Sequence, residues 1–206
     1  MKLQHPSFPA ESPWLDQLIA RLPTARVSVV GDLCLDAYWN LDANIDERSI
    51  ETGLPVRRVE LQRYSPGGAG NVAANLSALG VGTVTVIGMV GDDLFGAELR
   101  RQLTQAGLAG DNLMPAPAGW RTLVYAKPYR QGQEMERFDF GGGHTLQMAD
   151  VALLLKRVEQ SATTSDVVVI NQQVPGFWNA ELVDAVNAIV ARHPTVRFIV
   201  DSRDLS

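Results

Sequence analysis

Ser65-Pro66-Gly67-Gly68-Ala69-Gly70-Asn71-Val72-Ala73-Ala74-Asn75-Leu76 is the stretch on which the fold turns, and it is expected to open as a turn and close as a helix. Glycine at 67, 68 and 70 removes the Cβ atoms that would hold the main chain off a ligand and permits positive φ in the turn. Beyond Asn71, the residues Val72, Ala73, Leu76 and Leu79 recur at helical spacing, and Gly80 supplies a C-terminal stop. Such a turn aims free N–H groups and the positive end of a helix dipole at whatever docks there. The expected ligand is rich in oxygen: a phosphate, a carboxylate or a sugar.

Outward from this stretch the chain alternates between two characters. Residues 27–30, 83–88, 166–170 and 196–200 are short apolar runs, the mark of strands buried on both faces. Between them lie helical patterns: Ser12-Pro13 opening a stripe of Leu15, Leu18, Ile19 and Leu22 that ends at Pro23; Gly91-Asp92-Asp93 capping Phe95, Leu99 and Leu103 before Gly107; and the stripes Val151, Leu154, Leu155, Val158 and Leu182, Ala185, Val186, Ile189. Alternating β and α of this kind predicts a parallel sheet with helices on both faces. Two insertions, about 35–65 and 119–140, break the rhythm. Their polar and apolar residues mix, with arginines among them, and residues 120–127 and 134–140 read as a hairpin around 128–133. They are expected to form a small antiparallel β lid, half exposed and off the main core. The first ten residues read as a loose tail and Gly141-Gly142-Gly143 as a flexible exit.

Composition narrows the function classes. The 206 residues suit one α/β domain rather than two, and 46% hydrophobic content is that of an ordinary folded chain. A net charge of -5 without a basic run excludes nucleic acid and an anionic membrane surface as expected partners. The apolar runs are too short to span a bilayer. One cysteine, Cys34, allows no internal disulfide and points to a reducing, cytoplasmic setting, with Cys34 expected in the core. His5, His144 and His193 lack metal-ligand spacing, so no metal site is expected on them.

Two readings of the glycine stretch compete. Gly68-x-Gly70-x-x-Ala73 with Asp92 or Asp93 downstream matches a dinucleotide fingerprint, which would make the chain an NAD(P)-binding oxidoreductase. However, residues 56–64 carry three arginines and a glutamate, whereas the strand entering such a turn is apolar. The second reading joins Gly31-Asp32-Leu33-Cys34-Leu35-Asp36, Pro66-Gly67-Gly68-Ala69-Gly70-Asn71 and Gly88-Met89-Val90-Gly91-Asp92-Asp93-Leu94-Phe95-Gly96. In that order, from about Val27 to Asp201, they resemble the ribokinase (PfkB) family of sugar kinases. Residues 48–60, the spacing from Gly67 to Asn71, and residues 122–139 are most similar to the kinases of heptose 7-phosphate.

The resemblance implies a ribokinase-like fold and phosphoryl transfer from ATP, with Mg²⁺, to a sugar hydroxyl. It implies that Asp36 accepts hydrogen bonds from sugar hydroxyls, that Gly67 and Gly68 let the sugar approach the main chain, and that the Asn71 amide meets another hydroxyl. Gln173 falls where some relatives carry a sugar-binding glutamate. Arg48, Arg121 and Arg137 are the lid candidates for a substrate phosphate. Such kinases end in a Gly-Ala-Gly-Asp-type stretch, whose aspartate is the base, preceded by an Asn-x-x-Glu-type motif that organises Mg²⁺. That pair does not occur in these 206 residues, so the chain reads as the N-terminal, sugar-binding portion, expected to be inactive alone, with no base of its own. A non-catalytic sugar- or partner-binding protein is the alternative. Lid strands with unpaired edges imply a homodimer through the lid.

Overall fold

The computed structural model describes residues 13–44, 47–142, 145–174 and 178–203. The tail over residues 1–10, the Ser12 cap, Asp46, Gly143, His5 and His144 lie outside the described residues.

The elements follow the expected alternation. In chain order they are α1 (Pro13–Arg21), a 3-10 turn (Leu22–Thr24), β1 (Arg26–Gly31), β2 (Leu33–Leu41), β3 (Val59–Gly68), α2 (Ala69–Ala78), β4 (Thr83–Ile87) and α3 (Leu94–Gln105). A second 3-10 turn (Gly110–Asn112) leads to β5 (Leu123–Arg130), β6 (Gln133–Glu134), β7 (Phe138–Phe140), α4 (Met148–Thr164), β8 (Val167–Gln172), α5 (Ala180–Arg192) and β9 (Arg197–Ser202). The first sheet has the order β4-β1-β8-β9 with every neighbour parallel. Its central strands are apolar on both faces because helices cover both. Val27 and Val29 pack toward Ala69 and Ala73 of α2 and Leu99 and Leu103 of α3. Val30, Val168 and Ile170 pack toward Leu154 and Val158 of α4 and Leu182 and Val186 of α5. Each such fully buried Val or Leu contributes roughly 1.5–3 kcal/mol of transfer free energy.

The second sheet, β3-β2-β5-β6 with β7 also on β5, is mixed rather than purely antiparallel. β2 pairs antiparallel with β3 but parallel with β5. Nor is all of this insertion off the core. One residue, Asp32, separates β1 from β2, so the chain passes directly from one sheet into the other. Leu35 and Ala37 of β2 and Val124 and Ala126 of β5 are wholly buried in the same cluster as Val29. The alternate residues of both strands, Asp36, Tyr38, Tyr125 and Lys127, are only partly buried on the opposite face.

Several local expectations shift with this arrangement. The glycine stretch does not open as a turn: Ser65, Pro66, Gly67 and Gly68 end β3, paired with Asp36, Leu35, Cys34 and Leu33. Only Gly68, with φ 54°, turns the chain into α2, a conformation that a side chain would strain. The lid hairpin turns later than expected, at Gln131-Gly132, with β5 continuing through Pro128. Both turn residues have positive φ, as a two-residue hairpin connection requires. The apolar stripe of α1 is not core, since Leu15, Leu18 and Ile19 remain exposed. β9 is also more open than its sequence implied: Ile199 and Val200 are exposed at the sheet edge. The Gly80 and Gly107 stops both fall just past their helices with positive φ.

Candidate functional site

A cleft of about 310 Å³, within the range of small-molecule sites, opens at the C-terminal ends of the parallel strands. The second sheet lies along it. Asn171 and Gln173 come from the end of β8, and Asp201 and Arg203 from the end of β9. Gly68, Asn71 and Val72 supply the start of α2, while Cys34, Asp36 and Tyr125 come from the second sheet, with Arg137 just ahead of β7. Asp36, Gly68, Asn71 and Gln173, far apart in sequence, therefore share one wall-to-wall space. Gly67 does not line it but stands behind it. A Cβ there would lie 2.6 Å from Cys34 Sγ and 3.0 Å from Asp36 Oδ2, so glycine lets β3 close against the side chains that do.

Asp36 is held by a residue that sequence reading missed. Lys127 Nζ donates to Asp36 Oδ1 at 2.8 Å, and each side chain is 21% exposed. Burial disfavours the Lys127 ammonium, but the hydrogen bond and charge of Asp36 outweigh it and leave its pKa raised. The lysine thus stays charged through the neutral range, beside a carboxylate facing the cleft. Cys34 is the reverse case. Burial first, then the charges of Asp36 and Asp32, push its thiol up to about 12, so it remains protonated and is no nucleophile.

Asp32 organises the floor. Its Oδ2 accepts the N–H groups of Gln173 and Val174, each at 2.8 Å, its own N–H donates to Asn171 O at 3.2 Å, and its carbonyl accepts the Ala69 N–H at 3.0 Å. One residue ties the β8 end, the start of α2 and the crossing between sheets together. Asp32 is 2% exposed, and its Oδ1 has no partner among the described residues. Burial raises its pKa, with the two N–H bonds pulling the other way. Asn171 Nδ2 donates to Asp201 Oδ2 at 2.8 Å, which fixes the opposite wall.

Of the three lid arginines offered by the sequence, the cleft takes in Arg137 alone. Its guanidinium grips Asp139 through two bonds of 2.6 and 2.7 Å and lies 4.7 Å over the Tyr125 ring. Arg48 instead donates to Gly53 O at 2.9 Å, and Arg121 lies on the exposed surface outside the cleft lining. Asp92 and Asp93 do not form a ribose acid. Asp93 Oδ1 caps α3 by accepting Gly96 N–H at 2.8 Å, and Oδ2 accepts Thr122 N–H at 2.8 Å. The dinucleotide fingerprint also fails because β3 belongs to the second sheet and not to the parallel one. Tyr125, Lys127, Asn171, Asp201 and Arg203 went unseen. Alternation along β5 would have put Tyr125 and Lys127 on one face, but only the pairing with β2 brings that face to Asp36.

Among the described residues, no three His, Cys, Asp or Glu side chains converge to hold a metal. They do not gather the oxygen shell that Mg²⁺ takes, so no step through the metal is derived from them. No helix of the described residues is long and apolar enough to cross a membrane.

A parallel sheet clothed by helices, a second sheet along its C-terminal edge and a polar cleft between them define a ribokinase-like carbohydrate kinase fold. Solved structures agree: phosphofructokinase-2 from Escherichia coli in its tetrameric inhibited form superposes with a TM-score of 0.63 at 21% identity, over 86% of this chain and 55% of that one. Arabidopsis thaliana ribokinase complexed with ribose and ATP superposes at 0.59 and 16% identity, over 86% and 53%. The chain belongs to the pfkB family of carbohydrate kinases, whose family model matches residues 24–203. Among curated relatives, it is 39% identical over 153 residues to the Bifunctional protein HldE of Methylococcus capsulatus, covering 74% of this chain and 31% of that protein. It is 32% identical over 171 residues to the D-beta-D-heptose 7-phosphate kinase of Bordetella bronchiseptica, covering 83% and 51%. The chain thus spans about a third to a half of the length of these relatives.

Proposed function

We propose that this chain is the sugar-binding part of an ATP-dependent kinase that phosphorylates a hydroxyl of heptose 7-phosphate. The observation that carries the reading is the convergence of Asp36, Gly68, Asn71 and Gln173 on one cleft at the strand ends. Asp36 Oδ1 is taken by Lys127, which leaves Oδ2 to accept from a sugar hydroxyl. The Asn71 and Gln173 amides, each donor and acceptor, read further hydroxyls. Fixed polar groups of this kind discriminate among sugars, because the wrong sugar leaves them unpaired. ATP and Mg²⁺ supply the phosphoryl group and its charge neutralisation in the complete kinase. Because no Gly-Ala-Gly-Asp-type stretch occurs in the 206 residues, the reading assigns this chain substrate binding and not turnover.

Calorimetric titration with heptose, heptose 7-phosphate and ATP·Mg²⁺ tests this. Sugar binding is expected in the wild type and a loss of about tenfold or more in Asp36→Ala, the scale of a charge-assisted hydrogen bond. Unchanged binding in Asp36→Ala would overturn the placement, as would ATP binding without any sugar. We also propose a cytoplasmic homodimer joined through the second sheet, supported by exposed Leu61, Met135, Phe138 and Phe140 on and beside its strands and by the lone, buried thiol of Cys34.

A further inference from the structure

Asp36 faces the cleft with a cation already on it. In the register of β2 and β5, the pair Asp36 and Tyr125 is followed on the same sheet face by Tyr38 and Lys127. Lys127 Nζ reaches back along this face to donate to Asp36 Oδ1 at 2.8 Å and stands 5.1 Å from the Tyr38 ring. Asp36 Oδ2 lies over Gly67, where an added Cβ would come within 3.0 Å of it. One oxygen is held by charge, and the other is backed by bare main chain.

The groups around this pair supply no spare negative charge. Cys34 keeps its proton, its thiol pushed up to about 12. Arg137 and Asp139 match one another through bonds of 2.6 and 2.7 Å. Glu134, the other carboxylate whose charge Lys127 feels, takes the Tyr129 hydroxyl at 2.6 Å. Arg63, 4.1 Å over the Tyr38 ring, adds a positive charge. A hydroxyl approaching Asp36 Oδ2 needs only an acceptor and finds one. An ammonium approaching the same oxygen meets a carboxylate that Lys127 already neutralises, and stands as a second cation beside the first.

We propose that Lys127 is a specificity-determining residue: by occupying Asp36 Oδ1 it makes the cleft take sugars with a hydroxyl at Asp36 and reject amino sugars that carry an ammonium there. The proposal rests on the reading of Asp36 as the hydroxyl acceptor. Lys127 acts through Asp36 and touches no substrate atom in this role. Without it, the same carboxylate would favour the ammonium, which forms the stronger, charge-assisted hydrogen bond. Selectivity then comes from repelling the wrong sugar as well as from holding the right one.

Calorimetric titration of the 206-residue chain tests it, with heptose 7-phosphate and its three analogues in which the C2, C3 or C4 hydroxyl is replaced by an amine. Wild type is expected to bind the analogue substituted at the Asp36 position about tenfold more weakly than the parent sugar, with that ratio falling to one or inverting in Lys127→Met and persisting in Lys127→Arg, which keeps the charge. In wild type, the ratio is also expected to shrink as pH rises through the amine's own titration, since the neutral amine is no longer repelled while Lys127 stays charged. This pH profile needs no variant and decides the matter if Lys127→Met fails to fold. A pH-independent ratio, a ratio unaltered in Lys127→Met at all three positions, or its complete loss in Lys127→Arg overturns the proposal. Parent-sugar binding that disappears in Asp36→Ala while every amine analogue binds wild type equally well overturns the role of Lys127 alone; no sugar binding at all overturns the reading of Asp36 with it.

Discussion

Asp32 shows how much one residue can carry. It joins two sheets, positions Gln173 at the cleft and leaves one buried oxygen without a partner among the described residues. An acid whose folded pKa is raised favours the native state while protonated. Its contribution is complete below the unfolded value of about 4 and is lost as pH rises through the raised folded value. Asp93 and Glu98 run the other way. At Asp93 burial works upward, but the N–H bonds of Thr122 and Gly96 outweigh it; at Glu98 the Arg101 hydrogen bond dominates, and both pKa values fall. Their stabilisation is lost only as pH drops below about 4. Urea midpoints followed upward from pH 4 are therefore expected to fall in wild type and to flatten in Asp32→Asn. An unchanged slope in Asp32→Asn would show that another group is responsible. The residues of the cleft were half legible in the sequence. Asp36 and Gln173 follow soon after the apolar runs 27–30 and 166–170, and Gly68 and Asn71 open the helical stripe of α2, whereas Lys127 has no such marker and gains meaning only from Asp36, 91 positions away.

At the scale of elements, the caps were the most readable feature because their chemistry is local. Gly91-Asp92-Asp93 announces the start of α3, and Asp93 does accept the Gly96 N–H. The same carboxylate also accepts the buried Thr122 main-chain N–H, which no local signal reveals. Asp93→Ala is expected to cost the cap, about 1 kcal/mol, and to strand the Thr122 donor, about 1–3 kcal/mol more. Chemical denaturation measures the sum; a loss under about 0.5 kcal/mol, the scale of an inert surface change, would reject the double role. The glycine stretch was read less well. Its composition marks close approach, but whether a chain approaches as a turn or as a strand end depends on the partner strand. Cys34 and Asp36 of β2 are what Gly67 makes room for.

Across the whole molecule, the second sheet has one face in the core and one open, and its edges and outer apolar side chains stay uncovered. Phe138 is 54% exposed and Leu61 58%. Light scattering is expected to report a dimer, with Phe138→Asp shifting it toward monomer; a wild-type monomer at the highest soluble concentration would refute the lid interface. By itself, the sequence determined the alternating strands and helices, the parallel sheet and the existence of an inserted β layer. Apolar periodicity and caps are written in neighbouring residues, and a strand covered on both faces must be apolar throughout. Only the tertiary structure decided that β2 runs parallel to β5, that half of the inserted layer belongs to the core, and that Lys127 stands against Asp36. Strand pairing joins segments with no local signature of their partner, and a shift of one residue in register would turn each of these side chains to the opposite face.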